Sequence, residues 1–235
     1  MAIPPLSYVS SASKVLVLLA GLRQGRKLSE ARRWIVAWAL IGLMIDGVML
    51  VYALRQQNNH WMSYLAAPIE VGTLLFALSY WHRDRGRRIL RVLAAAFVVT
   101  VIVLVAFVES LTTFSLLRGP IESILIVAAS LATLLLLIRH EQGNLLQRDW
   151  FWICAGLSLR YGAGVTLGPL GRMLIGDSPA VLVSMFEVRA VVNIVSSVLI
   201  ARGVWCPILP QRFYGPSPPV SLPSLSSSPP SARGS

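Results

Sequence analysis

Residues 34–54 read WIVAWALIGLMIDGVMLVYAL, an apolar stretch whose only charged side chain is that of Asp46. About 20 apolar residues in helical form cross the ~30 Å hydrocarbon core of a bilayer. The stretch is therefore long enough to span a membrane, and Asp46 would then lie within the hydrocarbon. A charged group at that depth is costly unless it has a partner, water or a function.

Six further apolar stretches accompany the first: residues 6–22, 62–81, 89–108, 119–138, 150–170 and 180–203. None of them alternates apolar and polar residues as a membrane β-strand does, so helices are the spanning form. Only 13% of the residues are charged, against roughly a quarter in soluble domains. The sequence predicts an all-α, polytopic membrane bundle of seven transmembrane helices, or six if the weak first stretch, which contains Lys14, does not span.

The loops between these stretches alternate between arginine-rich and arginine-poor. Residues 23–33 and 83–91 are rich in basic side chains, whereas the second and fourth loops carry only Arg55 and Arg118. Cytoplasmic loops of membrane proteins carry an excess of Lys and Arg. The pattern predicts an N-terminus outside the cell and a cytoplasmic C-terminus, in a multi-pass protein that we expect in the bacterial cytoplasmic (inner) membrane.

The composition changes after residue 206. Residues 207–235 contain PSPP at 216–219 and SSSPP at 226–230. Segments this rich in Pro and Ser do not form a packed core. The chain is therefore predicted to have a seven-helix transmembrane domain, residues 1–206, and a disordered cytoplasmic tail, residues 207–235.

Charged side chains lie well inside five of the seven stretches. At 1.5 Å per residue, Asp46 and Glu70 fall in the outer half of the bilayer and Arg160 falls near its midplane. Glu187 and Arg189 fall ~10 to ~14 Å below the outer edge, on opposite faces of their helix because they are two residues apart. We expect one polar pocket in the outer half of the bundle, formed by these groups and their polar neighbours: Asp46, Glu70, Glu122, Arg160, Tyr161, Glu187, Arg189 and Asn193.

Two interpretations of these charges stay open. They are structural ion pairs, or they line a cavity open to the outside in which an arginine meets an anionic group and the carboxylates hold or move protons or cations. Guanidinium groups bind carboxylate and phosphate through paired hydrogen bonds. Pro-Ile-Glu occurs at 68–70 and 120–122, where it is expected to open the third and fifth stretches, as in a weak internal repeat.

The polar residues form no catalytic or metal-binding motif. Cys154, Cys206 and the three histidines stand singly along the chain, without an HExxH, CxxC or Ser/His/Asp arrangement. We therefore expect no enzyme activity, no metal and no cofactor. The net charge of +11 lies in short loops, so nucleic acid is not an expected partner. Expected partners are membrane lipid, a membrane protein or a second copy of the chain, and a small anionic ligand.

The last third of the chain carries a pattern of residue types in DWFW at 149–152, VNI at 192–194 and ARGVWC at 201–206. It resembles poorly characterised bacterial seven-helix membrane proteins that are similar to the membrane input modules of sensor kinases. The resemblance implies ligand or membrane sensing, with output through a separate partner. The favoured function is a receptor-like sensory or accessory module, and the alternative is a small-solute or proton-coupled transporter.

Overall fold

A computed structural model describes residues 5–108, 117–140, 143–173 and 179–207. All regular secondary structure in these ranges is helical, as the sequence predicted. The α-helices are α1 (Pro5–Ala12), α2 (Lys14–Gln24), α3 (Glu30–Leu54), α4 (His60–Ser79), α5 (Asp84–Phe107), α6 (Arg118–His140), α7 (Asp149–Met173) and α8 (Pro179–Trp205). Short 3-10 turns lie at Gly25–Lys27 and Leu145–Gln147. Of the predicted tail, only Pro207 lies within the described residues.

Six helical segments are long and apolar enough to cross a bilayer: Pro5–Lys27, Glu30–Leu54, Trp61–Ser79, Asp84–Phe107, Arg118–His140 and Val183–Trp205. By length and composition, the chain is suited to be a multi-pass integral membrane protein. The predicted count of seven is not reproduced within the described residues. The first stretch, expected to be the weakest, is among the six, whereas the sixth stretch, which forms α7, is not.

Arg160, Tyr161 and several glycines interrupt the apolar sequence of α7, which is not among these six segments. Its contacts with α6 and α8 are the most extensive in the bundle. Ile153, Cys154 and Leu157 on its first half are fully buried. A helix enclosed by other helices needs fewer apolar side chains than one that faces lipid.

Contacts between helices close six of them into a ring. α2 packs on α3, α3 on α4, α4 on α6, α6 on α7, α7 on α8, and α8 back on α2. α1 packs mainly against α8, while α5 packs mainly against α4. Residues on α4, α6, α7 and α8 that face the interior of the ring therefore become neighbours although they are far apart in sequence.

α5 shows why the outer surface of the bundle suits lipid. Leu90, Phe97 and Val101 recur at helical spacing and are buried against the bundle. Beyond its charged first two turns, the remaining surface of α5 is largely apolar as well, with Val99 and Ile102 each about 60% exposed. A helix that is apolar all round is expected in hydrocarbon rather than at an aqueous surface.

The two ends of the bundle differ in charge. The arginine-rich connections 23–33 and 83–91 lie at the end where α7 starts and α8 finishes, which we call the basic end. Gln24 holds the end of α2 against the end of α8, because its Nε2 donates to the carbonyl of Trp205 at 2.9 Å. Fully buried apolar side chains near the basic end include Ile35, Leu75, Leu78, Ile153, Ile200 and Val204. The polar interior described below lies in the other half.

The two Pro-Ile-Glu sequences occupy different places in their helices. Pro120 lies in the first turn of α6, as predicted, whereas Pro68 lies inside α4. The prediction that both sequences open a span was wrong for residues 68–70, because α4 already begins at His60 and continues through the proline. A proline inside a helix removes the hydrogen bond to the carbonyl four residues earlier, here that of Tyr64.

Candidate functional site

A cluster of charged side chains from α4, α6, α7 and α8 lies in the half of the bundle away from the basic end. We call it the arginine–glutamate cluster, and its members are Glu70, Arg118, Glu122, Arg160, Tyr161 and Arg189. Glu122 is its central group, because its buried carboxylate is within electrostatic range of Glu70 and of all three arginines. The members come from four helices, so no local motif reveals them together.

The start of α6 places Arg118 and Glu122 on one face, four residues apart. Arg118 Nη1 lies 3.9 Å from Glu122 Oε2, and the two side chains are only 14% and 12% exposed. Arg118 Nη1 also donates to the Ser63 carbonyl, and its Cζ lies 5.2 Å from the centre of the Tyr64 ring. Arg118 therefore joins α6 to α4 beside the turn that Pro68 interrupts.

Tyr161 joins α7 to α4. Its hydroxyl donates to Glu70 Oε2 at 3.3 Å, and its side chain is buried. The Glu70 side chain is half-buried. Tyr161 is also within electrostatic range of Glu122 and Arg160. One phenol donor therefore orients the Glu70 carboxylate within the cluster.

Arg160 lies beside Tyr161 with its guanidinium over the indole of Trp38 in α3. The Cζ atom is 5.5 Å from the centre of the Trp38 ring, a distance at which cation–π attraction operates. Arg160 Nη1 is buried and forms no hydrogen bond with the described part of the chain. A buried donor left without an acceptor costs about 1–3 kcal/mol, and more when it is charged. This N–H group is therefore available to donate a hydrogen bond to an acceptor atom of a ligand.

Arg189 of α8 lies at the exposed side of the cluster. Its side chain is exposed, yet it is within electrostatic range of Arg118, Glu122 and Arg160. Counted as ionised, the three arginines exceed the two glutamates by one positive charge. An oxyanion with two acceptor oxygens matches this excess and the N–H geometry of guanidinium.

Three residues expected in the pocket stand apart from the cluster. Asp46 pairs instead with Lys14 of α2, with Oδ2 2.8 Å from Nζ. Glu187 is exposed and Asn193 is half-buried, and neither forms a hydrogen bond or ion pair with the described residues. The structure thus brings together Glu70, Glu122, Arg160, Tyr161 and Arg189 from the expected set. It adds Arg118, which was predicted from the sequence to lie in a loop.

Glycine makes room for the Lys14–Asp46 pair. The Lys14 side chain is only 3% exposed, and a Cβ at Gly42 would lie 2.8 Å from its Nζ. Gly42 is one turn before Asp46, so the lysine crosses α3 at the glycine to reach the carboxylate. Lys14 is the only lysine within a predicted span. A lone lysine there needs an acidic partner, and this requirement could have suggested Asp46 from the sequence.

A second buried ion pair lies at the basic end. Arg32 Nε is 2.8 Å from Asp149 Oδ2, and the side chains are 2% and 10% exposed. Arg32 Nη1 also donates to the carbonyl of Cys206 at 2.7 Å. Arg32 therefore ties the start of α3 to the start of α7 and to the end of α8, although its place in a basic stretch suggested a solvated loop arginine.

The described residues contain no group of three or more His, Cys, Asp or Glu that could hold a metal ion. Cys154 and Cys206 are free and buried. Burial raises the pKa of the Cys206 thiol. Comparison of the chain with protein-family models, with curated proteins and with solved structures finds no match. The geometry of its own residues is therefore what indicates the function of the chain.

Proposed function

We propose that the chain is a receptor-like sensory or accessory module of the membrane, which binds a small oxyanion at the arginine–glutamate cluster. The observation that carries this proposal is the buried Nη1 of Arg160, which has no acceptor among the described residues. A carboxylate or phosphate oxygen would supply that acceptor and offset the positive excess of the cluster.

The bundle supports this function through its connections. Arg160 and Tyr161 are adjacent on α7, the helix with the most extensive contacts to both neighbours. An anion that draws Arg160 and Arg189 together would change the packing of α7 on α8. Both helices connect to Arg32 at the basic end, through Asp149 and through the carbonyl of Cys206. A ligand signal therefore has a physical route from the cluster to the basic end.

The topology that fits this function has α7 as a seventh transmembrane helix and the basic end in the cytoplasm. The N-terminus is then outside, and the cluster is nearer the extracytoplasmic surface. We propose a bacterial inner-membrane location and a separate membrane protein, or a second copy of the chain, as the recipient of the signal.

The test measures ligand binding to the full chain in nanodiscs. Binding is detected through tryptophan fluorescence, because Arg160 lies over the Trp38 ring. The probes are succinate and inorganic phosphate, with choline as a cationic control. We expect saturable binding of at least one oxyanion and its loss in Arg160→Gln. The matched control is Arg55→Gln, which removes an exposed arginine from the α3–α4 connection, at the end of the bundle opposite the basic end. Equal binding by wild type and Arg160→Gln would reject the proposal.

A transporter is the second candidate, favoured by Pro68 inside α4 two residues before Glu70. A helix interrupted beside a charged group allows that group to change its exposure, as carriers require. Reconstituted vesicles distinguish the two functions. Oxyanion uptake that disappears in Arg160→Ala or Arg189→Ala supports a carrier, whereas binding without any flux supports the receptor-like module.

A further inference from the structure

A second site lies away from the cluster, on the surface near the basic end. α2 and α8 border an open groove of about 540 Å³. Its residues are Leu16, Leu19, Ala20, Arg23, Val198, Ala201, Arg202 and Trp205. Nothing in the function proposed above uses this groove.

The groove separates apolar from charged residues along its length. Leu16, Leu19 and Arg23 lie on one face of α2, at spacings of three and four residues. Arg23 is seven residues beyond Leu16, which corresponds to ~10 Å along the helix axis. On α8, Val198 and Arg202 repeat the same order. The apolar walls thus extend ~10 Å into the bundle's hydrocarbon-facing surface from a charged rim at the basic end.

The two arginines of the rim are exposed and form no ion pair with the described carboxylates. The Arg23 guanidinium lies over the Trp205 ring, with its Cζ 4.1 Å from the ring centre. The carbonyl of Trp205 is in turn held by Gln24 at 2.9 Å. One guanidinium is therefore oriented in advance, with N–H groups left to donate.

We propose that this groove binds an anionic phospholipid, with an acyl chain along the apolar walls and the phosphate on Arg23 and Arg202. Charge complementarity supports this occupant, because two unpaired guanidinium groups stand where an acidic headgroup would lie. The height also fits: both arginines are at the ends of membrane-spanning segments, beside a tryptophan suited to the interface. A parallel, symmetric contact with a second copy would place like-charged arginines opposite one another, and is disfavoured.

The experiment uses the full chain in detergent and native mass spectrometry with added lipid. Phosphatidylglycerol is compared with phosphatidylcholine of identical acyl chains, and glycerol phosphate is the headgroup without chains. We expect phosphatidylglycerol to bind at a defined stoichiometry and the other two to bind weakly. The Arg23→Gln/Arg202→Gln variant should bind it roughly thirtyfold more weakly, since each arginine near an anionic headgroup contributes about fivefold. The matched control is Arg85→Gln/Arg88→Gln, which removes two exposed arginines at the same end.

A second variant tests the groove without changing charge. Val198→Trp fills the apolar wall and should also weaken phosphatidylglycerol binding while both arginines remain. Equal loss in the Arg85/Arg88 control would show general attraction to negative charge and overturn the site. Unchanged binding in both groove variants would overturn it as well, as would a dimer that excludes lipid and dissociates in Val198→Trp. Competition by glycerol phosphate alone would assign the arginines to a soluble phosphate instead.

Discussion

Lys14 and Asp46 form an ion pair between α2 and α3, with Nζ 2.8 Å from Oδ2 and the lysine side chain almost fully buried. The pair joins the first predicted span, the weakest by sequence, to the second. It also gives each charge the partner that the interior of a membrane bundle demands. The first segment is therefore held in the bundle by a specific contact as well as by apolar surface.

Removing one partner of this pair should destabilise the protein strongly. Lys14→Met leaves Asp46 without its counter-charge, and we expect a loss of about 2–3 kcal/mol, because breaking a buried pair costs about 3–5 kcal/mol and Asp46 is partly exposed. The double variant Lys14→Met/Asp46→Leu should recover most of this loss. The measurement is thermal unfolding in detergent with a double-mutant cycle.

The control for this cycle is the exposed pair between Arg33 and Glu30, whose side chains are 54% and 55% exposed. Arg33→Gln should change stability by less than about 0.5 kcal/mol. A double variant at Lys14 and Asp46 that is no more stable than the single Lys14→Met would contradict a direct ion pair as the source of the loss.

Two glycines allow α7 and α8 to approach closely. A Cβ at Gly156 would lie 2.9 Å from the Ser196 carbonyl oxygen, and one at Gly203 would lie 2.8 Å from that of Asp149. Backbone atoms cannot move aside as a flexible side chain can. We expect Gly156→Ala to lower the unfolding temperature in detergent, because the helices must separate to admit the methyl group.

Gly162 on the same helix provides the matched control. A Cβ there meets nothing within 4 Å, so Gly162→Ala should be neutral or stabilising by up to about 1 kcal/mol from helix propensity. The comparison isolates packing from propensity, since the two substitutions are chemically identical. If both variants were equally destabilised, close α7–α8 packing would not be the reason.

Arg32 should keep the end of α8 closed. Cys206 is fully buried, and its carbonyl accepts from Arg32 Nη1 at 2.7 Å. In a Cys154→Ala background, we expect Arg32→Gln to accelerate maleimide labelling of Cys206, because the end of α8 is released. The measurement is the labelling rate of folded protein by mass spectrometry, with Arg26→Gln, an exposed arginine near the same end, as the control.

If Arg32→Gln changed only the local charge, maleimide labelling of Cys206 would become slower instead of faster. Burial raises the pKa of the Cys206 thiol, and the positive charges of Arg202 and Arg32 each lower it by less. Removing Arg32 without opening the site would therefore raise the pKa, reduce the thiolate and slow the reaction. Slower labelling in Arg32→Gln would thus mean that the site stays closed and that Arg32 does not hold α8.

The helices were predictable from sequence because their signal is local. Apolar length decides a span, and the residues of α3 carry it without help from the rest of the chain. Which charges meet depends instead on the order of helices around the ring. Asp46 and Glu70 were expected at similar depth and in one pocket, yet α3 turns Asp46 toward Lys14 while α4 turns Glu70 toward Tyr161.

Arg118, at a helix end, is a second residue whose contacts could be predicted only in part from the sequence. As a loop residue it indicated topology, but α6 begins at Arg118 itself and places it four residues before Glu122. That spacing was visible in the sequence and is typical of an ion pair on one helix face. The contact of Arg118 with Ser63 and Tyr64 was not visible, because it depends on α4 lying against α6.

His82 lies between α4 and α5, and we expect it to make the stability of the basic end depend on pH. Its Nε2 is 2.8 Å from Thr133 Oγ1 of α6, and the Thr133 hydroxyl itself donates to the Ala129 carbonyl at 2.7 Å. The imidazole is therefore the donor, with its proton on Nε2. Burial lowers the pKa of His82, so the folded protein favours the neutral ring.

The sign of the pH effect follows from this shift. Below the ordinary histidine pKa of about 6.5, the unfolded chain takes up a proton that the folded chain resists, so stability falls as pH falls. We expect the unfolding temperature to drop between pH 7.5 and pH 5.5, and the drop to be smaller in His82→Gln. His140→Gln, which replaces an exposed histidine, should retain the full drop. A drop that is identical in wild type and His82→Gln would assign the pH dependence to other groups and leave the burial of His82 without that role.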